Sequence, residues 1–370
     1  MLGLDISSSS VKLVQLGQDR AGQFTLERGG IEPFERGWVG DGNIEKFDEV
    51  VGATRRLISR CGSKTKDVTM ALPTSVVISK KIILPEGLSE REMEVQVESE
   101  ANQYIPFSLD EVSLDFCVIG PSAVSAGDVE VMIAASRKEK VEDRQGLAEA
   151  VGLRLVAVDV ESYASRLAAE RVIKRLPGGG VDAVVALFEI GAATSAMQVL
   201  RNGELVYERD QVFGGAQLTQ MLVRQYGFTL EEAETKKCAG ELPEDYGMAV
   251  RQPFVESLAQ ELERALKFFF TSTPHNRVDY VFLAGGAANV AGVVKAHIGG
   301  LGFTLRYIAD NIKYVFLGFI LIILTSIAVR VFLGERRKEQ AQQSEEDCGH
   351  IPSNRTRKDQ QLCKRQTVAV

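Results

Sequence analysis

Five cysteines occur in the 370 residues, Cys61, Cys117, Cys238, Cys348 and Cys363, and no two of them form a C-x-x-C pair. That spacing excludes the common zinc modules and fits a reducing compartment. Histidine is scarcer: His275, His297 and His350 are the three, and none has a partner at ligand spacing, which argues against a histidine-based catalytic site. Positive charge is not in surplus, since the formal net charge is −7, and generic nucleic-acid binding is excluded on that ground. No G-x-x-x-x-G-K-[ST], H-E-x-x-H or G-x-S-x-G pattern is present. Met1 leads into an apolar strand pattern without a basic and then hydrophobic leader, so no signal peptide is expected and the folded part is expected to be cytoplasmic. What remains is ordinary globular composition, 45% hydrophobic and 25% charged, on a chain long enough for two or three domains.

One short device occurs twice. In residues 2–16 an apolar strand pattern reaches Asp5 and Ile6, bends through Ser7, Ser8, Ser9 and Ser10, and resumes from Val11. In residues 183–200 an apolar run reaches Glu189 and Ile190, bends through Gly191, Ala192, Ala193 and Thr194, and resumes from Ala196. Alignment of the two puts Asp5 on Glu189, Ile6 on Ile190, Ser7 on Gly191 and Ser10 on Thr194. The second copy runs on to Asn202-Gly203, the strongest short hairpin signal.

A bend built of Gly, Ser, Thr and Ala lets backbone N–H groups converge on one point with hydroxyls beside them, an anion nest suited to phosphate oxygens. The acid at the strand end cannot touch a phosphate, but it can hold Mg2+ through the ion's waters. Two such bends facing each other across a cleft would grip a polyphosphate from both sides. Lys12, just past the first bend, reads either as a solvated strand charge or as a phosphate contact. A third piece, residues 278–293, is an apolar strand pattern, then Gly285, Gly286, Ala287 and Ala288, then a helix pattern from Asn289. Glycines at a strand-to-helix turn let a flat ring or ribose approach the backbone closely. These three pieces stand in the phosphate-1, phosphate-2 and adenosine order of the actin-like ATPase superfold.

The segments LGLDISSSSVKLVQL, VLRNGELVYERDQVFGGAQLTQ, EEAETKK and HNRVDYVFLAGGAANVAGV make the finer match. Over roughly residues 1–310 the chain resembles the type IV pilus assembly protein PilM family, relatives of the cell-division protein FtsA. The resemblance implies an α/β fold, two-lobed and actin-like (a duplicated ribonuclease H-like unit), with an inserted small α+β subdomain. It implies ATP and Mg2+ as ligands. It further implies a scaffold on the cytoplasmic face of the inner membrane, peripheral or anchored by a C-terminal helix. There nucleotide-dependent lobe closure would control binding of a PilN-like N-terminal peptide of an inner-membrane partner, with a second copy of the chain as a further partner. The implied nucleotide contacts are Asp5, Ser8, Ser9, Ser10, Lys12, Glu189, Gly191, Ala192, Thr194, Gly214, Gly215, Glu234, Lys237, Gly285, Gly286 and Ala287. Asp5 and Glu189 would hold the metal through water, and no catalytic residue is assigned. This chain has Ser7 where the family usually has Gly, and Glu189 where it usually has Asp. The added Cβ costs about 1 kcal/mol if that position needs φ > 0, and the longer acid carries its carboxylate one methylene further out, so at most a slow ATPase is expected. The alternatives are an FtsA-like filament-forming protein and a small-molecule kinase of the same superfold, which needs a catalytic acid over an acceptor pocket that the sequence does not offer.

Periodicity organises the rest. Residues 1–73 and 159–176 form the first lobe, with a helix expected over 43–61. Residues 74–158 read as the insertion, in β-α-β-β-α-β order, with Ser89 and Glu92 as a capping box. Residues 102–107 leave Tyr104, Ile105 and Phe107 at a helix end, for the core or for a partner groove. Asp159 reads as the N-cap of a helix over 161–174, with a role for Asp159 or Glu161 in metal or water positioning as the other reading. Residues 178–180 are a glycine linker to the second lobe, 181–311. There Gly214 and Gly215 open a helix and suit an anion, Glu234 and Lys237 share a helix face, and a long core helix spans 249–270.

Residues 312–333 hold 16 consecutive uncharged residues from Tyr314, continuing past Arg330 to Leu333, enough to span a bilayer. Residues 334–370 are polar and aperiodic and are expected to be disordered. Arg330, Arg336, Arg337 and Lys338 on the far side outweigh Arg306 and Lys313, so charge bias opposes the orientation that a cytoplasmic N-terminal domain requires.

Overall fold

The computed structural model describes residues 1–20, 24–40 and 42–290. The membrane-helix and tail expectations, and the expected end of the second lobe after residue 290, lie outside these residues. Among the described residues no helix is long and apolar enough to cross a membrane.

The chain opens with β1 (Leu2–Ile6), β2 (Ser10–Gln18) and β3 (Phe24–Pro33), an antiparallel meander. β4 (Val39–Gly40) and β5 (Asn43–Ile44) make a two-residue ladder, which takes Asn43 and Ile44 out of the expected helix. α1 (Phe47–Cys61) therefore starts later and stops at Gly62, which takes the left-handed conformation that glycine adopts without a Cβ penalty. Its Val50, Ala53 and Leu57 are fully buried, each large side chain contributing about 1.5–3 kcal/mol by leaving water. β6 (Asp67–Leu72) then pairs parallel with β1.

The insertion is β7 (Val77–Pro85), α2 (Glu90–Tyr104), β8 (Val112–Pro121) and β9 (Asp128–Arg137), its sheet ordered β7-β9-β8. The capping box holds: Glu92 N–H donates to Ser89 Oγ, and Ser89 N–H donates to Glu92 Oε2 at 2.9 Å. Val97 and Ala101 of α2 and the adjoining Ile105 cover one face of that sheet, against Ile82, Val131 and Ile133.

α3 (Lys138–Ala150) and β10 (Arg154–Val160) depart from expectation. The pattern placed both in the insertion, closing it at residue 158. Instead β10 pairs parallel with β6, and Leu147 and Ala148 of α3 share a core with Leu2, Leu13 and Val50. A parallel neighbour for β6 needs a helical crossover, and α3 supplies it. The first sheet is thus β10-β6-β1-β2-β3, and the three-stranded unit ends at Arg137.

α4 (Glu161–Ile173) crosses to the second lobe. Its N-cap is Val160 rather than Asp159, whose Oδ1 instead accepts the Val160 N–H at 2.7 Å. β11 (Val184–Ile190), β12 (Ser195–Arg201) and β13 (Glu204–Gln211) form a second antiparallel meander. Asn202 (φ 53) and Gly203 (φ 80) make the expected turn between the last two strands. α5 (Gly215–Tyr226), α6 (Leu230–Ala239) and α7 (Gln252–Ser272) follow, α7 entered through a π-helical turn at Gly247–Arg251, and β14 (Tyr280–Ala284) pairs parallel with β11. The sheet order β13-β12-β11-β14 repeats β3-β2-β1-β6 in order and direction. The fold is the expected two-lobed actin-like one. Phe188, Phe254 and Phe269 are buried at the centre of the second core, whereas Phe268 is 42% exposed.

Candidate functional site

The two bends have one geometry. In the first, Asp5 pairs across from Lys12 and the Ser7 N–H donates to Ser10 O at 3.0 Å. In the second, Glu189 pairs across from Ala196 and the Gly191 N–H donates to Thr194 O at 2.9 Å. Ser7 and Gly191 both lie outside the left-handed region, so the strain that Ser7 would carry at positive φ does not arise. Gly191 is required by proximity instead, since a Cβ there would stand 2.8 Å from Thr194 O. Ser9 and Thr194 are exposed at the tips, Ser8 is half-buried, and Ser10 is buried beneath them.

Glycines bring the second bend, the α5 N-terminus and the turn after β14 into backbone contact. A Cβ on Gly214 would sit 2.5 Å from Ala192 O, and one on Gly285 (φ +87) would sit 2.4 Å from Ile190 O. Gly215 and Ala216 N–H donate to Gly191 O and Ala192 O, and the Gly214 N–H donates to Gln217 Oε1. This differs from the expected anion site at that helix start. The bend's own carbonyls take these donors, so Gly214 and Gly215 buttress the phosphate-type hairpin. Gly286 is the open position, where an added Cβ meets nothing within 4 Å, and Ala287 is buried behind it.

Charge gathers between the lobes. Lys12 Nζ lies 2.8 Å from Asp5 Oδ2, and both are largely buried, so Lys12 is not a solvated strand charge. Glu189 accepts a hydrogen bond from Ser165 Oγ of α4. Burial, and next the Asp5 charge, push Glu189 up to about 7, with the Ser165 hydrogen bond opposing. Burial and then the Asp5 and Glu189 charges push Glu161 up to about 8. At neutral pH these acids retain protons that ordinary carboxyls have lost, and positive charge entering the cleft would release them.

Beside this, Thr219 Oγ1 donates to Glu234 Oε2 at 2.6 Å, and Lys237 Nζ donates to Glu234 at 2.6 Å and to Thr219 Oγ1 at 2.8 Å. Burial would raise Glu234, but the Lys237 and Thr219 hydrogen bonds outweigh it and hold the carboxyl below the ordinary range. Thr219 Oγ1 also lies 3.3 Å from Gly215 O, which places the pair beside the glycine floor.

Sequence reasoning missed Thr219 and Ser165, because a hydroxyl mid-helix has no motif. Among the described residues no group of three or more His, Cys, Asp or Glu could hold a metal ion directly. The donor set suits a cation held through water: Asp5 is already paired with Lys12, and Glu161 and Glu189 hold protons that a cation entering the cleft would displace.

A family model described as "Type IV pilus assembly protein PilM" matches residues 3–311. Among solved structures the chain is similar to a "PilM-PilN type IV pilus biogenesis complex", with 25% identity, 88% of this chain and 97% of that chain covered, and a TM-score of 0.70. It is also similar in fold to the ethanolamine utilization protein EutJ from Carboxydothermus hydrogenoformans, with 19% identity, 87% and 88% covered, and a TM-score of 0.54.

Proposed function

The chain belongs to the type IV pilus assembly protein PilM family, and on that premise we propose that it is an ATP-binding scaffold on the cytoplasmic face of the pilus inner-membrane platform. Its partner in this reading is a PilN protein, which the similar solved complex names, bound through its N-terminal peptide. The observation that carries the nucleotide reading is the duplicated bend, with Asp5 and Glu189 at equivalent strand ends and their charges acting on one another.

In the proposed mechanism the bends at residues 7–10 and 191–194 hold phosphates by backbone N–H and hydroxyl groups. Asp5 and Glu189 would hold Mg2+ through water, and Lys12 would offer its charge to phosphate. Gly285, Gly286 and Ala287 leave room for the adenosine beside Glu234 and Lys237. Mg2+ held in the cleft would supply the positive charge against which Glu161 and Glu189 release their protons. Glu189 touches α4 through Ser165, and α4 also donates from Arg166 to Gly203 O at 2.6 Å. Both contacts tie α4 to the second lobe, so a change at Glu189 would move α4 with that lobe against the first, and lobe closure would set peptide affinity. Glu161, at the head of the same helix, orients water in the closed cleft, and turnover is slow at most.

The test is calorimetric titration of MgATP into the full-length protein beside Asp5→Ala. Micromolar binding lost in the variant supports the reading; equal binding by both, or none by the wild type, rejects it. PilN-peptide affinity that is the same with and without MgATP rejects the closure mechanism separately.

A further inference from the structure

The second sheet carries a polar patch beneath α4. Gln198 of β12 pairs across from Glu208 of β13, and Ala196 pairs across from Asp210. Strand alternation puts these four residues on one face of the sheet. That is the face on which α4 lies, because Gln198 Nε2 donates to Ser162 O at 2.9 Å in the first turn of the helix. Gln198 is 2% exposed and Ser162 is 4% exposed. Gln198 Oε1 and Ser162 Oγ are nevertheless without a hydrogen-bond partner among the described residues. The bond to Ser162 O fixes the amide, so the orphan on Gln198 is its carbonyl oxygen. Burying an acceptor without a donor is costly, and such a group points to a ligand.

Both orphans stand beside a carboxyl group. Gln198 Nε2 lies 3.4 Å from Glu208 Oε1. Burial raises the Glu208 pKa and the Ser162 and Gln198 side chains oppose it, so Ser162 Oγ also faces this carboxyl, although outside hydrogen-bonding geometry. Asp210 is near enough for its charge to act on Glu208. Among the described residues no basic side chain acts on either acid. The two arginines close in sequence or structure are engaged elsewhere: Arg166 donates to Gly203 O, and Arg209, on the opposite face, lies 3.8 Å from the Phe268 ring centre. Ala196, with the smallest side chain of the four, leaves space between the acids. Asp210 is exposed and opens the patch to solvent on that side.

We propose that Ser162, Gln198, Glu208 and Asp210 form a binding site for a hard divalent cation of the Ca2+ type. Every donor is an oxygen: two carboxylates that can each bind through one or both atoms, an amide carbonyl and a hydroxyl. That mixture suits Ca2+, which accepts amide oxygens and irregular geometry, better than Mg2+, which demands a near-ideal octahedron and keeps its waters. The ion gives both orphans a partner and gives countercharge to two acids that have none. It fastens the first turn of α4 to β12 and β13, adding to the bonds that Ser165 and Arg166 make with the second lobe. The site is separate from the nucleotide reading above, since Glu189 lies on the other side of Ala196 from Asp210.

The experiment is calorimetric titration of CaCl2 into full-length protein stripped of metal and nucleotide, for the wild type, Glu208→Gln, Asp210→Asn and Asp5→Asn. The expected result is saturable wild-type binding with a Kd below about 1 mM. Glu208→Gln and Asp210→Asn weaken it about tenfold or more, because each removes a charged ligand. Asp5→Asn, in the nucleotide cleft, leaves it within about twofold. Thermal unfolding runs in parallel: CaCl2 raises the Tm of the wild type and Asp5→Asn, and the rise is lost in Glu208→Gln. No saturable binding by the wild type overturns the inference, as does binding unaltered in both Glu208→Gln and Asp210→Asn. Binding lost in Asp5→Asn assigns the ion to the nucleotide cleft, which overturns the inference and leaves the reading above intact. If Glu208→Gln does not fold, Asp210→Asn decides alone, since its position is exposed.

Discussion

Replacing Glu161 by Gln should make the ligand-free protein more stable above neutrality, although the residue lies in the candidate site. Glu161 moves from 4.5 to about 8 on folding, because burial and the neighbouring Asp5 and Glu189 charges disfavour its ionised form. A folded pKa above the unfolded one gives a contribution that is fully present below pH 4.5 and is lost as pH rises through about 8. At about 1.4 kcal/mol per pH decade the interval amounts to about 5 kcal/mol if one group carried it alone. Glu161 and Glu189 act on each other, so removing one acid recovers on the order of 2–3 kcal/mol, or several degrees at about 2–4 °C per kcal/mol. The assay is thermal unfolding in EDTA at pH 5, 6, 7 and 8. Wild type should lose stability steadily over that range, and the variant should match it at pH 5 and exceed it at pH 8. Parallel curves, or a variant less stable at every pH, would refute the placement of Glu161 among the cleft acids.

Gly285→Ala should destabilise the second lobe by about 2–4 kcal/mol, adding left-handed strain to a backbone collision with Ile190 O, and should abolish nucleotide binding; unfolding by denaturant and calorimetry check both. Glu234→Gln should weaken nucleotide about tenfold, by about 1.4 kcal/mol, through loss of the charged Lys237 and Thr219 hydrogen bonds, with Tm little altered. Ile133→Ala in β9 should destabilise the inserted unit by about 2–5 kcal/mol, read by unfolding in denaturant, while MgATP affinity holds within about twofold; a loss of nucleotide binding would place the insertion and the cleft in one folding unit.

Much of the site was legible because the device is local. Asp5, the serine bend and Lys12 lie within one hairpin, as do Glu189, Gly191 and Thr194, and alternation with small residues encodes a hairpin whatever surrounds it. The spacing of Glu234 and Lys237 fixed a shared helix face in the same way. Register, capping at Ser89 and Thr229, and the Asn202-Gly203 turn are likewise decided by near neighbours. Family membership followed because several local devices occur in one order along residues 3–311.

The tertiary structure alone decided which sheet β10 joins, since an apolar strand of seven residues carries no mark of its partner and β6 lies far back in sequence. It decided that Gly214 and Gly285 serve close backbone approach, because only the packed hairpin shows what a Cβ would strike. It also set the charge states: Glu161 and Glu189 are ordinary acids in the chain and become proton-holding acids only when burial and folding bring Asp5 beside them. Arg144 is the same case with the opposite sign, a helix residue like any other until packing removes its water and leaves two of its nitrogens without a partner among the described residues. Local pattern specifies which residues share a strand, a turn or a helix face. Desolvation and long-range charge are properties of the assembled fold, and they give those residues their chemistry.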